Sequence, residues 1–331
     1  MSDPRASTPA PADSAPADSA PSDVGSTTNT PTSAAREESW TIQRVLAWAT
    51  SDFKERGLEA PRLEAEILLA HALGVERLRL ILDAHKPLDA AELARFRELI
   101  KRRRSGEPIA YVVGEREFYG LVFHVDRRVL IPRQDTEILV DAALEATHHR
   151  HLSGRALDLC TGSGCVAISF ARARPTWQVT GADLSPDALE VARGNALRLG
   201  VIWGVRFVSG DLYGAVDPGE RFELITANPP YIASEEIPEL ERQIRDFEPR
   251  LALDGGPDGL SLLPAIIQGG FERLTAGGTL AVEIGAGQSD AVAALFERTG
   301  FADVRRHKDY GGHERVVSGR KPTGESLPAI G

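Results

Sequence analysis

From Trp40 to about Arg104, apolar residues recur at every third or fourth position. Leu46, Ala49, Phe53 and Leu58 open the pattern, and Leu63, Ala65, Ile67, Leu68 and Leu69 continue it. Leu78, Leu80, Ile81 and Leu82 follow, and Leu93, Phe96, Leu99 and Ile100 close it. This spacing stacks apolar side chains on one helix face, so residues 39–105 are predicted to form a small helical domain. Asp89 and Glu92 stand at the start of its last helix and the basic run Lys101–Arg104 at its end, as the helix dipole favours. The basic run is read as a solvated helix end in preference to an RNA-binding patch.

Between Glu107 and Pro132 the pattern turns strand-like. Tyr111–Val113, Leu121–Val125 and Val129–Ile131 are three short apolar runs, and Phe118-Tyr119-Gly120 leads into the second. Gly114 and Gly120 suit turns or bulges, so residues 106–134 are read as a β-hairpin linker. From Asp135 strands and helices alternate. A helix at 135–147 is followed by strand 155–158, a glycine-rich turn, helix 166–172, strand 178–183 and a helix from Pro186 capped by Ser185. Strands 205–209 and 222–228, helix 260–274, strand 279–284, helix 289–298 and a strand pair at 303–308 and 314–319 complete the pattern. Such alternation predicts an α/β domain over 135–320, a parallel sheet with helices on both faces and ligands at the carboxyl ends of the strands.

The two ends read differently. Residues 1–38 are mostly Ala, Pro, Ser, Thr and Asp, with PADSA occurring twice. Such a stretch cannot offset its ordering entropy and is expected to be disordered; residues 321–331 are expected to be a flexible tail. Of the 331 residues, 42% are hydrophobic, enough for a sizeable core. No run reaches the ~18 apolar residues of a membrane span, and the N-terminus lacks the apolar centre of a signal peptide. Two cysteines, with no CxxC pair and no HExxH, argue against a disulfide scaffold or a metal site, and a cytoplasmic location is expected. A net charge of −10 argues against a broad basic face for nucleic acid.

Candidate chemistry gathers at predicted strand ends. The apolar strand around Leu157 breaks into Cys160-Thr161-Gly162-Ser163-Gly164, whose glycines let the backbone approach a ligand closely. Nineteen residues past Gly164 the next strand ends at Asp183, the offset at which nucleotide-binding βαβ units place a carboxylate on ribose hydroxyls. A dinucleotide fingerprint would carry a third glycine where Ala167 stands. Asp158, just before the turn, would repel a pyrophosphate but attract the cationic amino-acid end of S-adenosylmethionine. Asp211, after the next strand, can accept from an adenine amino group. Each carboxylate alone is also an ordinary turn residue; three at successive strand ends fit a neutral or cationic nucleoside.

The fourth strand ends in Asn228-Pro229-Pro230-Tyr231. Two prolines stiffen the backbone and remove two N–H donors, leaving the Asn228 and Pro229 carbonyls to accept from a ligand NH₂. With the Asn228 side-chain oxygen and the Tyr231 ring, the motif suits a planar amide or aromatic amine. Such a nitrogen is a poor nucleophile, and acceptors on both its hydrogens help it attack a sulfonium methyl by positioning and electrostatics.

Together these features resemble the release-factor glutamine methyltransferases, class I enzymes that N5-methylate the glutamine of a Gly-Gly-Gln motif. The resemblance covers about residues 40–320. It includes Gly106–Tyr111, Phe118–Gly120, Leu130–Glu137, the glycine-rich turn, Asn228–Tyr231, Glu248–Leu253 and Gly255–Gly259. It implies that Cys160–Gly164, Asp183, Asp211, Leu212 and Asn228 contact S-adenosylmethionine. It also implies that Asn228–Tyr231 hold the substrate glutamine, with Arg133 and Thr136 as further substrate contacts, and that the helical domain recognises the release factor. Three positions depart from the family pattern: Cys160 replaces a glycine, Gln134 a proline, and Leu212 an aromatic residue beside the adenine. A monomer is expected. The competing readings are a glutamine methyltransferase for a ribosomal protein, an adenine-N6 DNA methyltransferase, which the net charge disfavours, and a nonenzymatic nucleoside-binding protein.

Overall fold

The computed structural model describes residues 39–148 and 153–323. The arm at 1–38 and most of the expected C-terminal tail lie outside them. Four helices, α1 (Ile42–Glu55), α2 (Pro61–Leu73), α3 (Arg77–Leu82) and α4 (Ala90–Arg104), bury the periodic positions Ala49, Phe53, Leu68, Leu69, Phe96 and Ile100 against one another. Only Leu80 of α3 joins that core; Leu78, Ile81 and Leu82 are each about two-thirds exposed. Asp89 and Glu92 close a reciprocal cap at the start of α4, at 2.7 and 2.8 Å. At the basic end of α4, Lys101, Arg102 and Arg104 are exposed as expected and only Arg103 is buried. Arg102 chelates Glu107, Arg103 is buried against Glu64 at 2.6 Å, and Arg104 reaches Asp52 at 2.6 Å. Three of its four charges thus pair with acids of the same chain.

The linker departs from the hairpin reading in two places. Tyr111–Val113 belong to a short helix, α5 (Ile109–Val113), ended by Gly114 at φ +78°. β-propensity loses here because Arg102 donates to the carbonyls of Tyr111 and Val112, satisfying groups a helix end leaves bare. Val129–Ile131 form no strand, because side chains take their backbone groups. The Tyr111 hydroxyl donates to Val129 O and Ile131 N donates to Glu248. The hairpin itself is present as β1 (Glu115–Phe118) and β2 (Leu121–His124), turning through Tyr119 and Gly120, both left-handed.

Past α6 (Glu137–Thr147), the strands β3 (Arg155–Leu159), β4 (Gln178–Asp183), β5 (Val205–Ser209), β6 (Phe222–Ala227) and β7 (Leu274–Glu283) are parallel. Helices α7 (Cys165–Ala173), α8 (Pro186–Arg198), the single turn α9 (Arg242–Arg245) and α10 (Leu263–Arg273) lie between them in the chain. After α11 (Ser289–Thr299) come β8 (Ala302–Lys308) and β9 (Glu314–Arg320). The expected parallel sheet is extended at one edge by the C-terminal strand pair: its order is 5-4-3-6-7-9-8, and β9 runs antiparallel to both neighbours. β7 starts five residues earlier than its periodicity suggests, and a register break opposite Phe222 and Leu224 separates those first residues from the rest. α10 and α11 bury one face with Leu157 and Leu159, while α6 and α7 cover the other with Ala156 and Leu224. Among the described residues no helix is long and apolar enough to cross a membrane.

Strand order reverses between β4, β3 and β6, so the carboxyl ends of these strands open a crevice at the switch point. Most of the residues singled out chemically lie there.

Candidate active site

The crevice holds a cavity of about 390 Å³, within the usual range for small-ligand clefts. Its floor is the turn after β3. Cys160, Gly162 and Gly164 all adopt positive φ, so the turn needs left-handed backbone at three of five positions. At Gly162 an added Cβ would meet nothing within 4 Å, leaving the backbone open to the cavity. At Gly164 it would strike Ile168 at 2.9 Å, because this residue seats α7 against the core. Thr161 N donates to Ala182 O, and Asn195 on α8 donates to Ser163 O while pairing with both backbone groups of His124. One buried amide therefore ties the turn to the β-hairpin.

Asp158 is buried, and each of its oxygens already holds a hydroxyl: Thr161 at 2.6 Å and Thr226 at 2.8 Å. Burial pushes its carboxyl up to about 6 against those two hydrogen bonds. It braces β3, β6 and the turn, besides lining the cavity. Asp183 receives Gly162 N at 2.8 Å on one oxygen and Ser185 N at 2.9 Å on the other. Its pKa is raised by burial and opposed by these backbone donors. A carboxylate oxygen has two lone pairs, so Asp183 keeps acceptors for ligand hydroxyls. Ser185 caps α8 at Ala188 as expected. Asp211 is exposed at the opposite lip, followed by Leu212 at φ +44°.

On the acceptor side, Asn228 and Pro230 line the cavity together with Arg133 and Thr136. Asn228 Nδ2 donates to Thr136 Oγ1 at 3.2 Å. Arg133 pairs with Glu248 at 2.5 Å, a carboxylate that also receives Ile131 N. Pro229 is buried behind Asn228, and Tyr231 lies beyond the cavity wall. Gln288 donates to the Tyr231 carbonyl at 3.0 Å and accepts Gly285 N at 2.8 Å, fixing the exit of the motif.

Sequence reasoning assigned no role to the segment 248–259, which forms the support for the motif. Ile232 N donates to Leu253 O and Gly255 N to Ile232 O, a short parallel pairing with the chain just past Tyr231. A Cβ at Gly255 would stand 2.7 Å from Pro230 O, and one at Gly259 2.2 Å from Tyr231 O. Two glycines spaced under a double proline were the available signal. Leu184 and Leu251, about half exposed on the cavity lining, were also missed. Their signal was weaker: a leucine directly after the acidic strand end, and one in the Glu248–Leu253 stretch.

Comparison with known proteins agrees with this arrangement. Residues 44–114 match the PrmC N-terminal domain and residues 134–256 the methyltransferase small domain. A release factor glutamine methyltransferase of Geobacter sulfurreducens is 43% identical over 285 residues, spanning 86% of this chain and 98% of that protein. The chain belongs to the release factor glutamine methyltransferase family. Another relative of that name, from Burkholderia pseudomallei, is 46% identical over 264 residues, 78% of this chain and 92% of its own length. Among solved structures, the hMettl16 catalytic domain overlays with a TM-score of 0.50 over 71% of this chain and 83% of that one; at 13% identity the likeness is one of fold. The α/β methyltransferase fold and the S-adenosylmethionine cofactor expected from the sequence are those of this family. The open backbone at Gly162 and the acceptors at Asp183 and Asp211 suit that cofactor's donor-rich nucleoside.

Proposed function

We propose that this methyltransferase modifies the N5 side-chain nitrogen of the glutamine in the Gly-Gly-Gln motif of peptide chain release factors. The observation that carries this reading is the orientation of Asn228. Its Nδ2 is turned inward to Thr136, which leaves Oδ1 as the group available to an incoming NH₂. An acceptor at that point suits a donor such as a carboxamide. Bound S-adenosylmethionine supplies an electrophilic methyl group.

Asp183 accepts the ribose hydroxyls, Asp211 the adenine amine, and Leu184 and Leu251 wall the base, with Leu212 beside it. Cys160, Thr161, Gly162, Ser163 and Gly164 bring the backbone against the cofactor's amino-acid end, and buried Asp158 adds its negative field there. Asn228 Oδ1 and the carbonyls of Asn228 and Pro229 hold the hydrogens of the glutamine amide, and Pro230 and Tyr231 frame its plane. These contacts orient the nitrogen lone pair and favour its change toward tetrahedral geometry. The amide proton displaced on methylation leaves to water. Residues 39–105 form the surface that recognises the release factor, and 106–134 link it to the catalytic domain at 135–320. The enzyme works in the cytoplasm as a monomer and does not itself bind nucleic acid.

The test is transfer of tritium from labelled S-adenosylmethionine to purified release factor, beside a Gly-Gly-Ala version of the factor, ribosomal proteins and plasmid DNA. Label on the wild-type factor alone is the expected result. Label on a ribosomal protein or on DNA would replace the substrate named here.

A further inference from the structure

The short helix α5 belongs to two cores at once. Val112 is buried with residues of α1, α2 and α4, and Ile109 and Val113 pack against the same cluster. Ala110 and Tyr111 are buried instead with Val125, Val129 and Ile131, and with Ala188 and Val191 of α8. α8 follows Asp183 in the chain, and its Ala188 lines the cavity. One helical turn therefore touches the helical domain on one side and the catalytic domain on the other.

Five residues do not hold a helix by themselves. Arg102, on α4, fixes this one. Its Nε and Nη2 donate to the two oxygens of Glu107, each at 2.9 Å. Nη2 also donates to Tyr111 O at 2.9 Å, and Nη1 to Val112 O at 3.0 Å. Glu107 is 6% exposed, and its carboxylate also faces Arg127 at 3.6 Å. Arg127 lies over the Phe247 ring, 4.7 Å from its centroid. The next residue, Glu248, pairs with Arg133 on the cavity wall. At the bend between α4 and α5, a Cβ on Gly106 would stand 3.3 Å from Arg242, so this corner abuts the catalytic domain as well.

Arg102, Glu107 and Arg127 do not line the cavity. What they hold constant is the distance from the helical domain to the amide slot. When two sites engage one partner, the link between them sets the concentration at which the second site meets its target. We propose that α5 is a rigid spacer, and that Arg102 and Glu107 are positioning residues that set where a captured release factor presents its glutamine. That role rests on the substrate proposed above.

The experiment compares Arg102→Ala, Glu107→Ala and the double variant in methyl transfer to release factor, with cofactor affinity measured by calorimetry. Each single variant is expected to lower kcat on the order of 10-fold, as misplacement of a reacting group does. KM for the release factor and Kd for the cofactor should stay within about twofold, because the binding surfaces remain. The double variant should lose no more than the worse single one, since both break the same fastening. Unchanged kcat in both single variants, or a loss carried wholly by KM, would overturn the proposal. If neither variant folds, Arg127→Ala asks the same question from an exposed position, and a normal kcat there would count against the spacer.

A second readout needs no substrate. Amide hydrogen exchange at α5 should quicken on the order of 10-fold in Arg102→Ala, while α2 and β4 keep wild-type protection. Equal exchange at α5 in both proteins would refute the fastening, and faster exchange spread evenly over α2 and β4 would reduce it to general stability. Wild-type enzyme that fails to label release factor would remove the substrate reading, while exchange at α5 still decides whether the two domains are held at a fixed spacing.

Discussion

Asp158 and Glu283 are both carboxylates buried at the ends of parallel strands, on either side of β6. They are treated very differently. Asp158 has a hydroxyl on each oxygen and is pushed up to about 6. Glu283 has one oxygen without a partner and is pushed up to about 7, chiefly by burial. The satisfied group knits three elements together and accounts for its own presence. The unsatisfied one has no such compensation for its burial.

The largest effect is expected at Asn228, which lines the cavity between the two acids' strands. Asn228→Ala should cut methyl transfer by about 10²–10³-fold, the scale of losing a preorganised polar contact to the reacting group, with the fold intact by circular dichroism. Near-normal turnover would remove Asn228 from the chemistry. Asp158→Ala should act on stability instead. It strands the buried hydroxyls of Thr161 and Thr226 and should cost about 1–3 kcal/mol in urea denaturation. An unchanged midpoint would show that the brace carries no load.

Glu283→Gln should shift the pH dependence of stability in the opposite sense. The folded enzyme holds Glu283 near 7, above its ordinary 4.5, so ionisation opposes folding as pH rises through that interval. The variant should therefore melt higher than the wild type at pH 8, with the gain vanishing toward pH 4. A gain independent of pH would assign the effect to packing. The smallest effect belongs to Cys160→Gly. Cys160 sits at φ +55°, where a side chain costs roughly 1–2 kcal/mol, and glycine gives back roughly 0.5–1 kcal/mol through the unfolded chain. The melting temperature should rise slightly. A fall would mean that the half-buried thiol, held protonated, contributes packing that outweighs the strain.

Legibility from sequence followed how local each determinant is. β4 and β5 were read at their observed bounds because alternation and flanking turns define a buried strand within a few residues. The turn at Cys160–Gly164 and the acid at Asp183 were readable because their offset comes from one strand-turn-helix-strand unit. Tyr111–Val113 were misread because the deciding partner, Arg102, donates from another helix. In the basic run of α4 only the burial of Arg103 was not legible, its partner Glu64 lying on another helix. The burial of Glu283 carries no local signal, since it is made by elements brought together from distant parts of the chain.

The glycines beneath the double proline have one more consequence. Because Gly255 and Gly259 press on main-chain oxygens of Pro230 and Tyr231, the gauge of the amide slot is set by peptide against peptide. A jig cut that way keeps its dimensions while surrounding side chains drift over evolutionary time. Changes of client protein must then be written elsewhere, on the surfaces that deliver a glutamine to the slot, while the slot itself goes on accepting one carboxamide.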